Sequence, residues 1–185
     1  MTIGLLLIDI QNDYFPGGAM ELHGSVEAAQ AARRLLDFFR QQNLPVVHIQ
    51  HLSNKAGATF FIPDTRGVEI YEGVRPLAGE RVIQKHFPNS FRETDLLSCL
   101  HGMNISQLVI AGMMTHMCVD ATTRAAADYG FACQIVFDAC ATRNLTLNGQ
   151  EVVAQDVHLA FLAALNGPYG RVVTADLVMA EAKKD

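Results

Sequence analysis

Several features that would direct the reading elsewhere are scarce or missing. Lysine and arginine together number 14 against 19 acidic residues, and no basic run exceeds two residues. With a formal net charge of −5, the chain lacks the concentrated positive patch that a nucleic acid or an acidic membrane surface needs. No stretch approaches the roughly twenty apolar residues of a membrane span. The opening MTIGLLLIDIQND has no basic start, is interrupted at Asp9 and leads to no small-residue cleavage site, so it does not read as a signal peptide. The four cysteines, Cys99, Cys118, Cys133 and Cys140, form no CxxC and no framework spacing. They read as free thiols of a reducing compartment, which predicts a cytoplasmic protein. The first apolar run is followed by QNDYFPGG rather than GxGxxG, which argues against a dinucleotide site.

What is present suits one domain over residues 1–185, half of them apolar. Short apolar runs alternate with helix-length amphipathic segments. The runs are Ile3–Ile8, Pro45–Gln50, Arg81–Lys85, Gln107–Ala111, Ala132–Phe137 and Gly170–Thr174. Several are apolar almost throughout, as parallel strands buried on both faces are. Helices are predicted over about 25–42, 93–101, from near Cys118 to Gly130, over about 150–165, and after Thr174. In the first, Val26, Ala29, Ala32, Leu36 and Phe39 make one apolar face, and Asn43 and Pro45 end it. The alternation predicts an α/β protein with a three-layer Rossmann-like fold: a central, mostly parallel six-stranded sheet with helices on both faces. Residues 51–80 break the rhythm. So long an irregular segment inside a domain is usually functional, a lid or a pocket wall. Its apolar stretch Thr59–Ile62 suggests either a pocket wall or a subunit interface.

Ligands of open α/β sheets bind beyond the carboxyl ends of the strands, and the residues there are the candidates. Asp9 closes the first run; a carboxylate at the inner end of a buried strand needs a partner or a shifted pKa, though it could equally cap its own loop. Lys85 ends the third run, where a solvent-facing lysine is the ordinary outcome. Cys118 lies near a helix start, where free N–H groups and the helix dipole favour a thiolate and can hold an oxyanion; a small buried hydrophobe is the alternative. Cys140 is a rival thiol without an adjacent helix start, and Cys99 and Cys133 read as core. His86 and His116 fall at the same sheet edge, but His116 is too close in sequence to Cys118 to face it. His48 and His51, three apart on a strand, point to opposite faces, and no strong metal-ligand spacing appears.

One carboxylate, one lysine and one cysteine thus converge on one edge, and the surrounding motifs carry a resemblance. LLLIDIQNDY, VIQKHFPNSF and AGMMTHMCVDATTRAA, in this order, resemble the three motifs of the isochorismatase-like cysteine hydrolases, the superfamily of nicotinamidases, N-carbamoylsarcosine amidohydrolases and related amidases. FDACATR and QDVHLAFLAALNG resemble its last third. The resemblance implies a catalytic triad of Asp9, Lys85 and Cys118, and a cis peptide at Met113–Met114 whose following N–H joins that of Cys118 in an oxyanion hole. It implies hydrolysis of a small amide or carbamoyl C–N bond through a thioester, without a cofactor, in a homo-oligomer. Where metal-dependent nicotinamidases carry Asp-x-His, this chain has Gln50-His51-Leu52, so no metal is expected. Tyr14, Phe15, His51, Phe60, Phe61, Phe87 and His116 are the candidate pocket residues. A catalytically silent binding or assembly module on the same fold, or a redox sensor using Cys118 and Cys140, are the competing readings.

Overall fold

The computed structural model describes residues 2–182. Six strands form one sheet: β1 (Thr2–Ile8), β2 (Val46–His51), β3 (Arg81–Lys85), β4 (Ile105–Met113), β5 (Ala132–Ala141) and a sixth, Arg171–Val173. Their order is β3-β2-β1-β4-β5 followed by Arg171–Val173, and every neighbouring pair is parallel. The six-stranded α/β architecture expected from the sequence is therefore the one observed.

Two apolar layers enclose the sheet. In β1, Leu5 and Leu7 face one side and Leu6 and Ile8 the other, as alternating side chains must. The first side packs on α1 (Ser25–Gln41), through Ala28, Ala32, Leu35, Leu36 and Phe39, and on the C-terminal helix Ala175–Glu181. The second packs on α2 (Leu96–Gly102), α3 (Asp120–Asp128) and α4 (Ala154–Leu165), through Leu96, Leu100, Ala126, Leu162 and Leu165.

The main departure lies between residues 145 and 153. A helix from about 150 is expected, but Leu145–Leu147 and Gln150–Val152, β6 and β7, form an antiparallel hairpin, and α4 begins at Ala154. Asn148 and Gly149, both at positive φ, form its turn. Asn-Gly is the dipeptide that a two-residue hairpin turn favours, so the signal was there and the helical periodicity masked it. Likewise α2 starts at Leu96 rather than near Glu93, which itself has positive φ. With β6 and β7 named, Arg171–Val173 is β8 and Ala175–Glu181 is α5.

From β1 the chain builds outward to β2 and β3; from β4 it builds the other way to β5 and β8. The strand order reverses between β1 and β4, which is where such sheets leave a crevice for ligands. Gly112 permits the close approach there. It pairs with Ile8, has φ +146°, and any Cβ on it would overlap the Ile8 carbonyl oxygen. A side chain would meet both steric overlap and a disfavoured backbone conformation. Gly112→Ala is expected to cost at least about 2 kcal/mol, read as a lower midpoint in urea unfolding; a variant as stable as the parent would show that β1 and β4 can separate freely.

Candidate active site

Three loops meet at the crevice. Asp9 follows the last residue of β1, adopts φ 52° and is wholly buried. Its N–H donates to the Ile49 carbonyl, 3.1 Å away, which keeps it beside the end of β2. Lys85, the last residue of β3, pairs in register with His51, the last of β2. In β3 the side chains of Val82 and Gln84 are exposed while those of Ile83 and Lys85 are buried, so the two-residue alternation that places Ile83 in the core carries Lys85 in with it. The solvent-facing alternative for this lysine does not hold. Cys118 is 3% exposed. It sits in a π-helical turn, Thr115–Val119, that runs directly into α3. Sequence reasoning placed it in the first turn of a regular helix. The wider turn shows in the Val119 N–H, which reaches the Met114 carbonyl at 3.3 Å. Thr115 anchors the turn from below: its hydroxyl donates to Ala141 O at 3.2 Å and lies 2.9 Å from Nδ1 of His158. The Met113–Met114 peptide is cis.

The Lys85 ammonium lies 2.7 Å from Asp9 Oδ2, and neither side chain is exposed. It also lies 3.1 Å from His51 Nδ1 and donates to the carbonyls of Phe87 at 3.1 Å and Pro88 at 3.4 Å. Neither Asp9 oxygen has a donor in hydrogen-bonding geometry. The contact with Lys85 is therefore a charge pair, and the carboxylate keeps lone pairs for other donors. Sγ of Cys118, an imidazole nitrogen of His51 and a carboxylate oxygen of Asp9 lie within 4.8 Å of one another.

The charges in this cluster constrain one another. Burial raises the Asp9 pKa, and Lys85 opposes that shift. Burial works against the charge on Lys85, but Asp9 and then Cys118 hold its pKa above the ordinary value. Burial, then the Asp9 charge, push the Cys118 thiol upward, with Lys85 pulling the other way. At rest the thiol is protonated beside the Lys85 ammonium, and Asp9 and Cys118 compete for one proton. A standing thiolate, expected from a helix start, is overruled by burial. His51 is pushed down to about 3, by burial first and then by Lys85, His86 and Lys55, so it is neutral at ordinary pH.

Of the pocket candidates, His51 and Phe60 line a cavity of about 300 Å³ beside the cluster. Tyr14 is buried against Phe60 and Phe61, and burial holds its hydroxyl pKa well above the ordinary value. Phe61 packs 5.7 Å from the His51 ring. Three others are spent elsewhere. Phe15 stacks on Tyr71 at 3.7 Å. His116 turns to Thr142, with Nδ1 2.6 Å from its hydroxyl, and to Phe161. The ring of Phe87 lies 3.6 Å under the Arg92 guanidinium, so only its carbonyl reaches the site.

Residues passed over in the sequence build the frame. Gln11, wholly buried, accepts the His51 N–H at 2.8 Å and donates to His51 O and Val68 O. Asp13 accepts the N–H of Phe61 at 2.6 Å and that of Ala19 at 3.2 Å, and Gly67 leaves room for its carboxylate. These bonds seat the 51–80 segment as a pocket wall. Their signal was the polar run Gln11-Asn12-Asp13 just beyond Asp9 at the end of the first strand. Gln50, where an Asp-x-His set would begin, donates to Val68 O and accepts from Gln84 Nε2. Asp9, His51 and Cys118 stand close enough together to hold a cation, but the Lys85 ammonium already contacts two of them.

Residues 4–176 match the model of the isochorismatase domain. The chain belongs to the isochorismatase family. An uncharacterised family protein of Bacillus subtilis is 53% identical over 176 residues, 95% of this chain and 98% of its own length. A crystal structure from Oleispira antarctica, described as an isochorismatase hydrolase, superposes with a TM-score of 0.94 at 48% identity, covering 97% of this chain and 96% of that one. A maleamate amidohydrolase of Pseudomonas putida is 28% identical over 97% of this chain and 86% of its own length.

The imidazole offers a direct check on the electrostatics of this family site. Because an ammonium can only donate, Nδ1 of His51 accepts and Nε2 carries the proton. Nitrogen NMR is expected to show that single neutral tautomer, unchanged between about pH 5 and 8. A titration with a midpoint near the ordinary value of about 6.5 would mean that Lys85 does not sit charged against it.

Proposed function

We propose that the chain is a single-domain, homo-oligomeric cysteine hydrolase that cleaves a small amide or carbamoyl C–N bond through a thioester. The observation that carries this reading is the buried convergence of Asp9, Lys85 and Cys118. Kinship with a maleamate amidohydrolase supports the amide class. No metal enters the mechanism.

Asp9 takes the Cys118 thiol proton as Sγ attacks the substrate carbonyl. The pKa values of both groups are raised, so transfer accompanies attack rather than preceding it. Lys85 holds the carboxylate in place and offsets the charge forming on sulfur. The backbone N–H groups of Met114 and Cys118 receive the oxyanion. Protonated Asp9 then gives its proton to the leaving nitrogen, and ammonia or an amine departs, leaving a thioester. Asp9 next removes a proton from water, which attacks the thioester. Collapse expels the thiolate, Asp9 returns the proton to it, and a carboxylic acid leaves. The sum is amide plus water giving acid plus amine.

Cys140 does not compete for the nucleophile's part. It lies within β5, its Cα opposite Gly112, and Asp9 is not among the groups that act on its thiol. Asp9 instead gives Cys118 a base, which removes the main support for a two-cysteine redox sensor.

The test is ammonia release from a panel of small primary amides, ureides and carbamoyl compounds, run on three variants. Cys118→Ser should lose activity by at least about 100-fold, while Cys140→Ser keeps most of it. Asp9→Asn removes the charge that opposes the thiolate, so iodoacetamide should alkylate Cys118 at least as fast as in the parent. Turnover should nonetheless fall by about 100-fold or more, since the general acid and base is gone. If alkylation and turnover fell together in a folded variant, Asp9 would only generate the thiolate, and its proton-transfer role would be wrong.

A further inference from the structure

The cavity of about 300 Å³ beside the cluster is at the small end of ligand sites. It is lined by His51, Lys55, Phe60, His86, Pro88 and Met117, with small residues of the 53–59 stretch between them. It meets the reacting groups at His51, whose imidazole lies within 4.8 Å of Cys118 Sγ and of an Asp9 oxygen. A larger cavity, about 640 Å³, runs along Glu21–Glu27 to Arg143 and contains none of the three.

Two nitrogen donors of the small cavity are unspent. The first is His51. Its Nδ1 is engaged by Lys85, so its Nε2 holds a hydrogen, and the ring is fixed by Lys85 on one side and Phe61 on another. That N–H is a preset donor on the cavity wall. The second is Lys55. Its ammonium forms no ion pair among the described residues. No aspartate or glutamate lines the cavity. The nearest buried carboxylate, Asp9, lies on the Nδ1 edge of His51 and is neutralised by Lys85. His86 is turned to the wall, its Nδ1 2.8 Å from the Leu52 carbonyl. The remaining surface is mostly apolar, from Phe60, Pro88, Met117, Ala56 and Ala58, with Ser53 and Thr59 among them. An uncompensated ammonium and a fixed N–H donor on an otherwise mostly apolar wall suit a short carbon chain ending in an anion.

We propose that this cavity selects amides carrying a carboxylate a few carbons from the scissile carbonyl, with Lys55 as its counter-charge and His51 Nε2–H as its donor. The assignment rests on the amidase reading and names its substrate class. Lys55 is exposed, so the attraction is screened by salt and acts mainly on substrate capture.

The experiment compares kcat/KM for succinamate and for butyramide, which differ by a terminal carboxylate against a methyl. Wild type should favour succinamate at least tenfold, less so at high salt. Lys55→Met should lower that ratio at least fivefold through KM for succinamate, and Lys55→Arg should retain it. A ratio near one, or a ratio that Lys55→Met leaves unchanged, overturns the proposal while leaving the amidase reading intact. If neither amide is hydrolysed, the amidase reading fails for these compounds, and succinate binding decides the cavity. Thermal stabilisation of wild type by succinate that is absent in Lys55→Met supports the anion site; no stabilisation of either overturns it.

Discussion

The charge pair between Asp9 and Lys85 is the contact on which the rest of the site depends. Both groups are withdrawn from water, and desolvating two charges costs several kcal/mol per ion unless each meets an opposite charge or a hydrogen bond. The lysine also meets an imidazole nitrogen and two carbonyls; the aspartate has the lysine as its nearest partner, with the Cys118 thiol and His51 beside it. That asymmetry has a chemical meaning. The ammonium is locked, while the carboxylate keeps lone pairs in a dry site, where a thiol, a leaving amine or a water molecule can use them in turn. A solvated aspartate would be too weak a base for a buried thiol. Burial raises its pKa, and the lysine opposes that rise.

The fold supplies this pair by adjacency. The strand order brings β1 and β4 together at the centre, and the missing side chain at Gly112 lets them close. The Cys118 turn can then descend from β4 to the level of Asp9. From the other side, parallel register sets Lys85 beside His51, and Gln11 ties the end of β2 back to the loop after β1. Beyond the β3 end, a buried bond network joins Ser90 to Thr122 of α3, with the Ser90 N–H 3.0 Å from its hydroxyl. The segment that carries the lysine's carbonyl partners is thus fastened to the helix that continues from the cysteine's turn. No helix of the described residues is long and apolar enough to cross a membrane.

The sheet was legible because its strands are apolar runs of the right length, and Asp9 and Lys85 stand out as the charges that end two of them. The β6–β7 hairpin was not, since the helix expected over about 150–165 takes in Gln150–Val152, and only Asn148-Gly149 marks the turn. The environment of Cys118 was half legible. Its position after β4 could be read, but whether a thiol at such a turn is ionised depends on how deeply neighbouring elements bury it. Phe15, His116 and Phe87 show the same limit: sequence gives nearness to the sheet edge, while side-chain direction is set by partners such as Tyr71, Thr142 and Arg92, distant in the chain or unmarked as partners. Lys55 gave no signal at all, because its meaning lies in the absence of carboxylates around it.

The most direct measurement is of the bond the mechanism says must form. An amide that the enzyme turns over slowly would be mixed with it, quenched in acid within the first turnovers, digested and weighed peptide by peptide. The account predicts that the peptide containing Cys118 gains the mass of the substrate less ammonia, that the gain decays with the release of acid, and that no other cysteine is modified. Turnover with Cys118 unmodified at every time, or an adduct on Cys140 instead, would contradict it.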